Sequence, residues 1–357
     1  MSPFEDDSLI IRAWHEIAVT ALQSRASDIH IEAGPEETLV RLRVDGALQL
    51  LKRHPISLHE RLITRIKILA RLDIAEKRLP QDGRLCIGAD FSQPDVDCRV
   101  STMPTLYGEK VVVRILPSLI KELSLDRVGL LPEQLAIFRS AIQQPHGLIL
   151  VTGPTGSGKT RTLYSCLSEL NQPEKNLCSV EDPIEIRLPG VNQVSFHEKA
   201  GLDFVTIIRA LLRQDPDVLM IGEIRDSASA RVVIEAAQTG HLVLSTLHTR
   251  NARGALARLR TLGIEQEHIA SCLNCVSSQR LVRTFCQKCK RHALDFNCLK
   301  CKGSGYFGRI AIHEVLNHQM IFSPDACFLD MHAAGMHYVQ QGLINPELLT
   351  HEIGSYS

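Results

Sequence analysis

The rhythm of apolar and polar positions changes near residue 132. Before it, residues 39–51 (LVRLRVDGALQLL) alternate apolar and polar around Asp45-Gly46, which predicts a β-hairpin. Leu58, Leu62, Ile66, Leu69 and Leu72 recur at helical spacing, which predicts an amphipathic helix over 58–76. LPQDGR (79–84) breaks it, and strand-like runs follow at 84–91, 95–101 and 110–116. A small α+β domain is therefore expected over residues 1–116, followed by a linker, 117–131, that starts at Pro117. From residue 132 short apolar runs alternate with helix-length segments: GLILVT (147–152), LCSVED (177–182), DVLMIGE (217–223) and LVLSTLH (242–248). Runs that are apolar on both faces predict an α/β fold, a mostly parallel sheet covered by helices on both faces, over 132–285. After about residue 252 come two helical stretches, a cysteine cluster (286–305) and a short helical C-terminal region (306–357). SCLNCVSS (271–278) reads as part of a helical stretch, with Cys272 and Cys275 as small core residues.

Composition narrows the function classes. A chain of 357 residues with 44% apolar content can bury the cores of two or three domains. Lys+Arg and Asp+Glu are equal at 40 each, so no global field attracts a polyanion. Aromatics at 4% are too few for a base-stacking surface, and no nucleic-acid partner is expected. MSPFEDDSLI lacks the pattern of a signal peptide, and no apolar run approaches the roughly 20 residues that span a bilayer. The 11 cysteines are an odd count in a long chain, which favours reduced thiols in a cytoplasmic setting.

GPTGSGKT (153–160) directly follows the strand GLILVT and fits G-x-x-x-x-G-K-[ST] at Gly153, Gly158, Lys159 and Thr160, with Pro154, Thr155, Gly156 and Ser157 between. Such glycines let backbone N–H groups turn inward around phosphate oxygens. Lys159 would place its charge on the β/γ-phosphates of ATP, and the Thr160 hydroxyl would bind Mg²⁺. A functionless glycine turn is the alternative, and the strand before and helix after weigh against it. Parallel sheets bind ligands outside the carboxyl ends of their strands. The other runs end there in Glu181-Asp182, Glu223 and His248. An ATPase needs an acid near Mg²⁺ and a residue that positions water, and Glu223 and Glu181 are the candidates. Alternatively, Glu181 and Asp182 cap the turn before Pro183, and Glu223 pairs with Arg225 or Arg231. TGHLVLSTLHT (239–249) carries a second histidine, His241, at the other end of the strand. At about 3.3 Å per residue the two histidines are roughly 23 Å apart. Only His248 can then read the γ-phosphate, or else end the strand as a plain hydrogen-bonded residue. His241 is expected to be structural or interdomain.

Taken together, these motifs resemble the secretion and pilus-assembly ATPases of bacterial type II secretion and type IV pilus systems. EDPIEI (181–186), LLRQDPDVLMIGEIRD (211–226) and TGHLVLSTLHT are similar to that family's acidic box, second nucleotide motif and histidine box. SDIHIE (27–32), RVDG (43–46), RIKILARLDIAEKRLPQDGR (65–84) and DCRVSTMP (97–104) are similar to its second N-terminal domain. The resemblance implies a RecA-like P-loop motor in which Glu223 is the essential acid, Glu181 lies near the attacking water and His248 near the γ-phosphate. It also implies phosphate-neutralising arginines at Arg99 and Arg114 of the N-terminal domain and at Arg209 and Arg213. Surface ion pairing is the plainer reading of Arg99 and Arg114. The resemblance further implies a ring hexamer at the cytoplasmic face of the inner membrane, peripheral to it through partners and pushing on an inner-membrane platform protein. Arg161, Ala228 and Arg250 depart from the family pattern, and the family's first N-terminal domain is expected to be absent.

CQKCKRHALDFNCLKC supplies Cys286, Cys289, Cys298 and Cys301, two C-x₂-C pairs eight residues apart. That spacing can wrap a tetrahedral Zn²⁺. The nearby Lys288, Lys290, Arg291, Lys300 and Lys302 favour thiolates. Free thiols, a redox pair and a nucleic-acid knuckle are the alternatives. The family's assembly ATPases carry a tetracysteine site here with a longer insert, and its retraction motors generally lack it, so an assembly motor is expected. A DNA-uptake or conjugation motor and a non-hydrolysing ring scaffold are the other readings.

Overall fold

The computed structural model describes residues 3–88, 96–116, 123–196, 203–289, 298–323 and 325–354, and divides the chain into two units, Met1–Ser118 and Leu119–Ser357. Among the described residues no helix is long and apolar enough to cross a membrane.

Strand alternation organises the first unit. Its elements are α1 (Pro3–Gln23), β1 (Asp28–Ala33), β2 (Glu37–Val44), β3 (Ala47–Pro55), α2 (His59–Leu69), β4 (Gln81–Ile87), β5 (Val96–Thr105) and β6 (Gly108–Ile115). The strands form one antiparallel sheet in the order β3-β2-β1-β6-β5-β4. Alternate residues, among them Ile29, Ile31, Val40, Leu42, Val111 and Val113, are buried with Trp14 and Ile17 of α1 and Leu62 and Ile66 of α2. The expected hairpin is present, and Asp45 (φ 48°) and Gly46 (φ 87°) are both left-handed, the pairing that matches strand twist. The helix expected over 58–76 stops at Leu69. Arg71 turns left-handed (φ 57°), its N–H bonds the Ile68 carbonyl at 3.1 Å, and the Leu72 N–H bonds the Lys67 carbonyl at 2.9 Å. That double closure ends a helix before its apolar periodicity does. Lys67 is buried, 2.6 Å from the Glu109 carboxylate, and donates to the Glu76 carbonyl at 2.7 Å, so it ties down the loop that follows. Residues 89–91 and 95 of the expected strands, and 117–122 of the expected linker, lie outside the described residues.

The second unit is built on runs that are apolar on both faces. It comprises α3 (Pro132–Ile142), β7 (Gly147–Thr152), α4 (Lys159–Leu170), β8 (Leu177–Glu181), β9 (Val191–Ser195), α5 (Phe204–Leu211), β10 (Val218–Ile221), α6 (Ser227–Gln238) and β11 (Leu242–Leu247). Then follow α7 (Gly254–Thr261), α8 (Gln266–Cys272), β12 (Leu273–Phe285), β13 (Tyr306–Asn317), α9 (His318–Phe322), α10 (Met331–Gln340) and α11 (Pro346–Ile353). The seven-stranded sheet runs β13-β12-β7-β11-β10-β8-β9, all parallel except β13 against β12. One face packs on α3 and α4, the other on α5 to α9. The expected α/β architecture is therefore present.

Two expectations are corrected. Residues 273–278 of SCLNCVSS belong to β12, not to a helix, and Cys275 lies buried in the sheet. Residues 306–317, expected within a helical region, form β13, so the sheet continues past residue 285. β12 has neighbours on both edges and is buried on both faces along Cys275–Gln279. Small residues suit both faces there, which erases the period-two signal that marks a half-exposed strand. β13 pairs at the sheet margin and packs with α3, α9 and α10, so its inner half is enclosed as well.

His313 of β13 is fully buried. Its Nε2 is 3.0 Å from the Val128 carbonyl and its Nδ1 3.1 Å from the Ser277 hydroxyl. A carbonyl can only accept, so Nε2 carries a proton. Burial pushes its pKa down to about 4. The unfolded chain takes up this proton near pH 6.5 and the folded chain only near 4, so stability is full above pH 6.5 and falls as pH drops through that window. The loss should reach about 3 kcal/mol by pH 4. Urea unfolding at stepped pH checks this, and the acid-dependent slope should flatten in His313→Asn.

Candidate functional site

The strand β7 ends at Thr152, and residues 153–158 turn the chain into α4. Gly153 (φ 142°) and Gly158 (φ 92°) hold backbone angles that L side chains rarely adopt. A Cβ on Gly153 would lie 2.5 Å from the Gln279 carbonyl oxygen, so this close approach requires glycine. Pro154, Thr155 and Gly156 are exposed, Ser157 is buried, and Thr160 is half-buried at the start of α4. Lys159 folds back over its own loop, donating to the carbonyls of Gly153 (2.9 Å) and Pro154 (3.0 Å). Burial pushes its pKa down to about 8; the Glu223 carboxylate opposes that shift, and the Arg280 guanidinium adds to it.

Parallel pairing brings three further strand ends to this edge, and two of their side chains meet. Glu223, two residues beyond β10, stands 3.4 Å from Nε2 of His248, the residue after β11. The other Glu223 oxygen accepts from Nε of Arg225, whose Nη2 reaches Asp182 at 3.0 Å. Lys159, Glu223, His248, Arg225 and Asp182 thus form one half-exposed group of alternating charge. Glu181 is set apart from it. It is buried, with one carboxylate oxygen accepting from the Tyr164 hydroxyl and the other from Ser179 (2.7 Å) and Gln193 (3.0 Å). His241 is at the opposite edge, where Nδ1 lies 3.1 Å from the Ala236 carbonyl at the end of α6.

The four arginines fall in two places. Arg209 and Arg213 stand exposed on and just after α5, where Arg213 donates to the Arg209 carbonyl at 3.0 Å. Arg99 and Arg114 face one another across β5 and β6 of the first unit, and Arg84 of β4 faces Arg99. The row continues through Asp28 to Arg43. Asp28 pairs with Arg114 at 2.9 Å and stands 3.8 Å from Arg43. Three of the four guanidinium groups, Arg84, Arg99 and Arg114, are thus adjacent in register, and the carboxylate of Asp28 lies between Arg114 and Arg43, on the sheet face away from the helices. Like charges opposed across strands are destabilising, so this row favours an anion. Sequence reasoning missed Arg43 and Arg84, which register alone aligns. It also missed Arg280, because β12 had not been read as a strand.

Cys286, Cys289, Cys298 and Cys301 converge beyond the open end of β12 and β13, all buried, with their sulfur atoms within 4.8 Å of one another. Cys286 and Cys298 are 3.9 Å apart, and Cys289 and Cys301 3.7 Å. Sulfurs about 2.3 Å from a tetrahedral centre would be about 3.8 Å apart, whereas a disulfide needs about 2.05 Å. Backbone N–H groups of Cys301 and Lys300 bring the Cys298 thiol down to about 7. The donor set fits Zn²⁺. Lys290 and Arg291 lie outside the described residues; Lys300 lies over the Phe307 ring, 4.6 Å from its centroid.

A family model described as type II/IV secretion system protein matches residues 4–327. The type IV pilus assembly ATPase PilB of Myxococcus xanthus is 43% identical over 340 residues, covering 88% of this chain and 60% of that protein. The protein transport protein HofB homolog of Haemophilus influenzae is 45% identical over 351 residues, covering 98% of this chain and 74% of that protein. The pilus retraction motor PilT, solved with bound ADP, matches with a TM-score of 0.66 at 25% identity, covering 94% of this chain and 96% of that one. The chain spans about three-fifths of the PilB relative, while the family match runs through both of its units: the chain belongs to the type II/IV secretion system protein family.

Proposed function

We propose that this chain is an ATP-hydrolysing motor for assembly of a type IV pilus or a type II secretion pseudopilus. The observation that carries this reading is the meeting of Glu223 and His248 at the edge where Lys159 crowns the phosphate loop. The names of the PilB and HofB relatives and the ADP bound to PilT support it.

In this mechanism Lys159 leaves the Gly153 and Pro154 carbonyls for the β/γ-phosphates of ATP. Thr160 would hold Mg²⁺, which supplies charge neutralisation when bound. Glu223, released from Arg225, takes a proton from the attacking water as the water oxygen bonds the γ-phosphorus and the bond from the bridging oxygen to that phosphorus breaks; ADP and phosphate leave, and Glu223 returns its proton to solvent. His248 beside it reads the γ-phosphate. Glu181, held by Tyr164, stiffens the strand end beneath the attacking water. Arg99 and Arg114, with Arg209 and Arg213, would neutralise phosphate charge as subunits close in a ring, which is a hexamer in this proposal. The motor works at the cytoplasmic face of the inner membrane against a platform protein. The cysteine set, holding Zn²⁺, points to assembly rather than retraction.

Three measurements test this. Glu223→Gln should lower steady-state phosphate release by about a hundredfold or more while nucleotide still binds; unchanged turnover would remove Glu223 from the mechanism. Bound phosphates raise the Lys159 pKa, so nucleotide binding above about pH 8 should take up a proton and weaken as pH rises. Calorimetry in buffers of different ionisation enthalpy reads that uptake. Elemental analysis should find one zinc per chain, falling to near zero with a lower melting temperature in Cys286→Ser.

A further inference from the structure

Gln279 is a buried side chain on β12, one residue beyond the last β12–β7 pair, Ser278 with Thr152. The register therefore sets it beside Gly153, the first residue of the phosphate loop. Both ends of its amide are engaged. Nε2 donates to the Ser157 carbonyl inside the loop at 2.7 Å, and Oε1 accepts from the Thr162 hydroxyl, one turn into α4, at 2.9 Å. Its own carbonyl lies where a Gly153 side chain would begin. One residue thus touches the beginning, the middle and the exit of the loop, and it does so from behind.

The Ser157 contact has a stereochemical consequence. In a trans peptide the C=O and the following N–H point in opposite directions. Holding the Ser157 carbonyl against Gln279 aims the Gly158 N–H away from β12, toward the concave side of the loop. Gly158 sits at φ 92°, where glycine has no steric preference for one peptide orientation over its flip. Without a fixed partner, that peptide could turn its carbonyl toward the phosphate. The Ser157 carbonyl can only accept, so it requires the NH₂ end of the amide, and the Thr162 hydroxyl holds the Oε1 end on the other side.

We propose that Gln279 is a positioning residue for nucleotide: it fixes the Ser157–Gly158 peptide so that the Gly158 N–H points at the phosphates. This rests on the ATP reading above. Gln279 itself touches no phosphate and acts through the backbone.

The test uses the full chain, a fluorescent ATP analogue and pyrophosphate as probes. Unaltered protein must bind both and Lys159→Ala must not; if the unaltered protein binds neither, the ATP reading fails and Gln279 is not at issue. Given that control, Gln279→Met, close in volume and without the donor, should weaken both probes by about tenfold and raise the KM for ATP more than it lowers kcat. Gln279→Glu provides a second reading that does not depend on Gln279→Met folding. Its carboxylate cannot donate to Ser157, but its protonated form can. Its affinity relative to the unaltered protein should therefore recover as pH falls, which a purely structural role would not produce. Thr162→Val, which removes the hydroxyl that holds the Oε1 end of the amide, should weaken binding less, and adding it to Gln279→Met should produce little further loss. Equal affinity of Gln279→Met and the unaltered protein, or a Gln279→Glu deficit that does not change with pH, would overturn the proposal.

Discussion

Parallel pairing of β7 with β11, and of β10 with β11 and β8, is the constraint from which the site follows. In a parallel sheet every strand delivers its carboxyl end to the same edge. Once GLILVT runs into the phosphate loop, the residues that end β10 and β11 must arrive beside it. Glu223 and His248 reach one another at 3.4 Å because Ile221 pairs with Ser245 and both chains leave the sheet within a few residues. No local signal in either segment specifies that contact; it is a property of the ladder.

The same edge is charged, and the fold neutralises it without a ligand. Lys159 lies on two loop carbonyls, and Arg225 bridges Glu223 and Asp182. These contacts hold the groups on which the proposed chemistry rests, and a half-exposed ion pair such as Arg225 with Glu223 and Asp182 contributes little, so its exchange for another partner involves a small penalty. In the first unit register alone aligns the arginines: Arg84, Arg99 and Arg114 face one another across β4, β5 and β6, and Asp28 bonds Arg114 and separates it from Arg43.

How much could be read in advance followed burial and periodicity. The hairpin at Asp45-Gly46 was readable because alternation and turn chemistry agree there. The four central strands were readable as apolar runs bounded by helices. β12 and β13 were not, since β12 is buried on both faces and filled there with Cys, Ser and Gln, and β13 is enclosed along its inner half, so neither carries a clean alternation. That gap hid Gln279 and Arg280, which only the register with β7 brings to the loop. Glu181 reaches the expected strand end, where Tyr164 of α4 and Gln193 of β9, distant in sequence, bind its carboxylate. A strand end gives a residue's edge, while its side-chain partners come from elements that the strand does not encode.

The cysteine centre belongs to the same strand system. Cys286 follows Phe285 at the end of β12, and its N–H bonds the Gly305 carbonyl, just before β13 begins, at 2.8 Å. Phe285 stacks on Tyr306 at 5.5 Å across the pair. Between them lies a connection far longer than a tight hairpin turn, whose closure costs entropy that one backbone bond and one ring pair do little to offset. Four thiols at tetrahedral spacing supply the missing closure when a metal is bound, because one ion then replaces the short turn. The strand so anchored is the one that carries Gln279 against the phosphate loop, six residues before its end. Anchoring that hairpin and shaping the loop are therefore two demands on a single strand, which ties the four-cysteine cluster to the sheet that carries the loop.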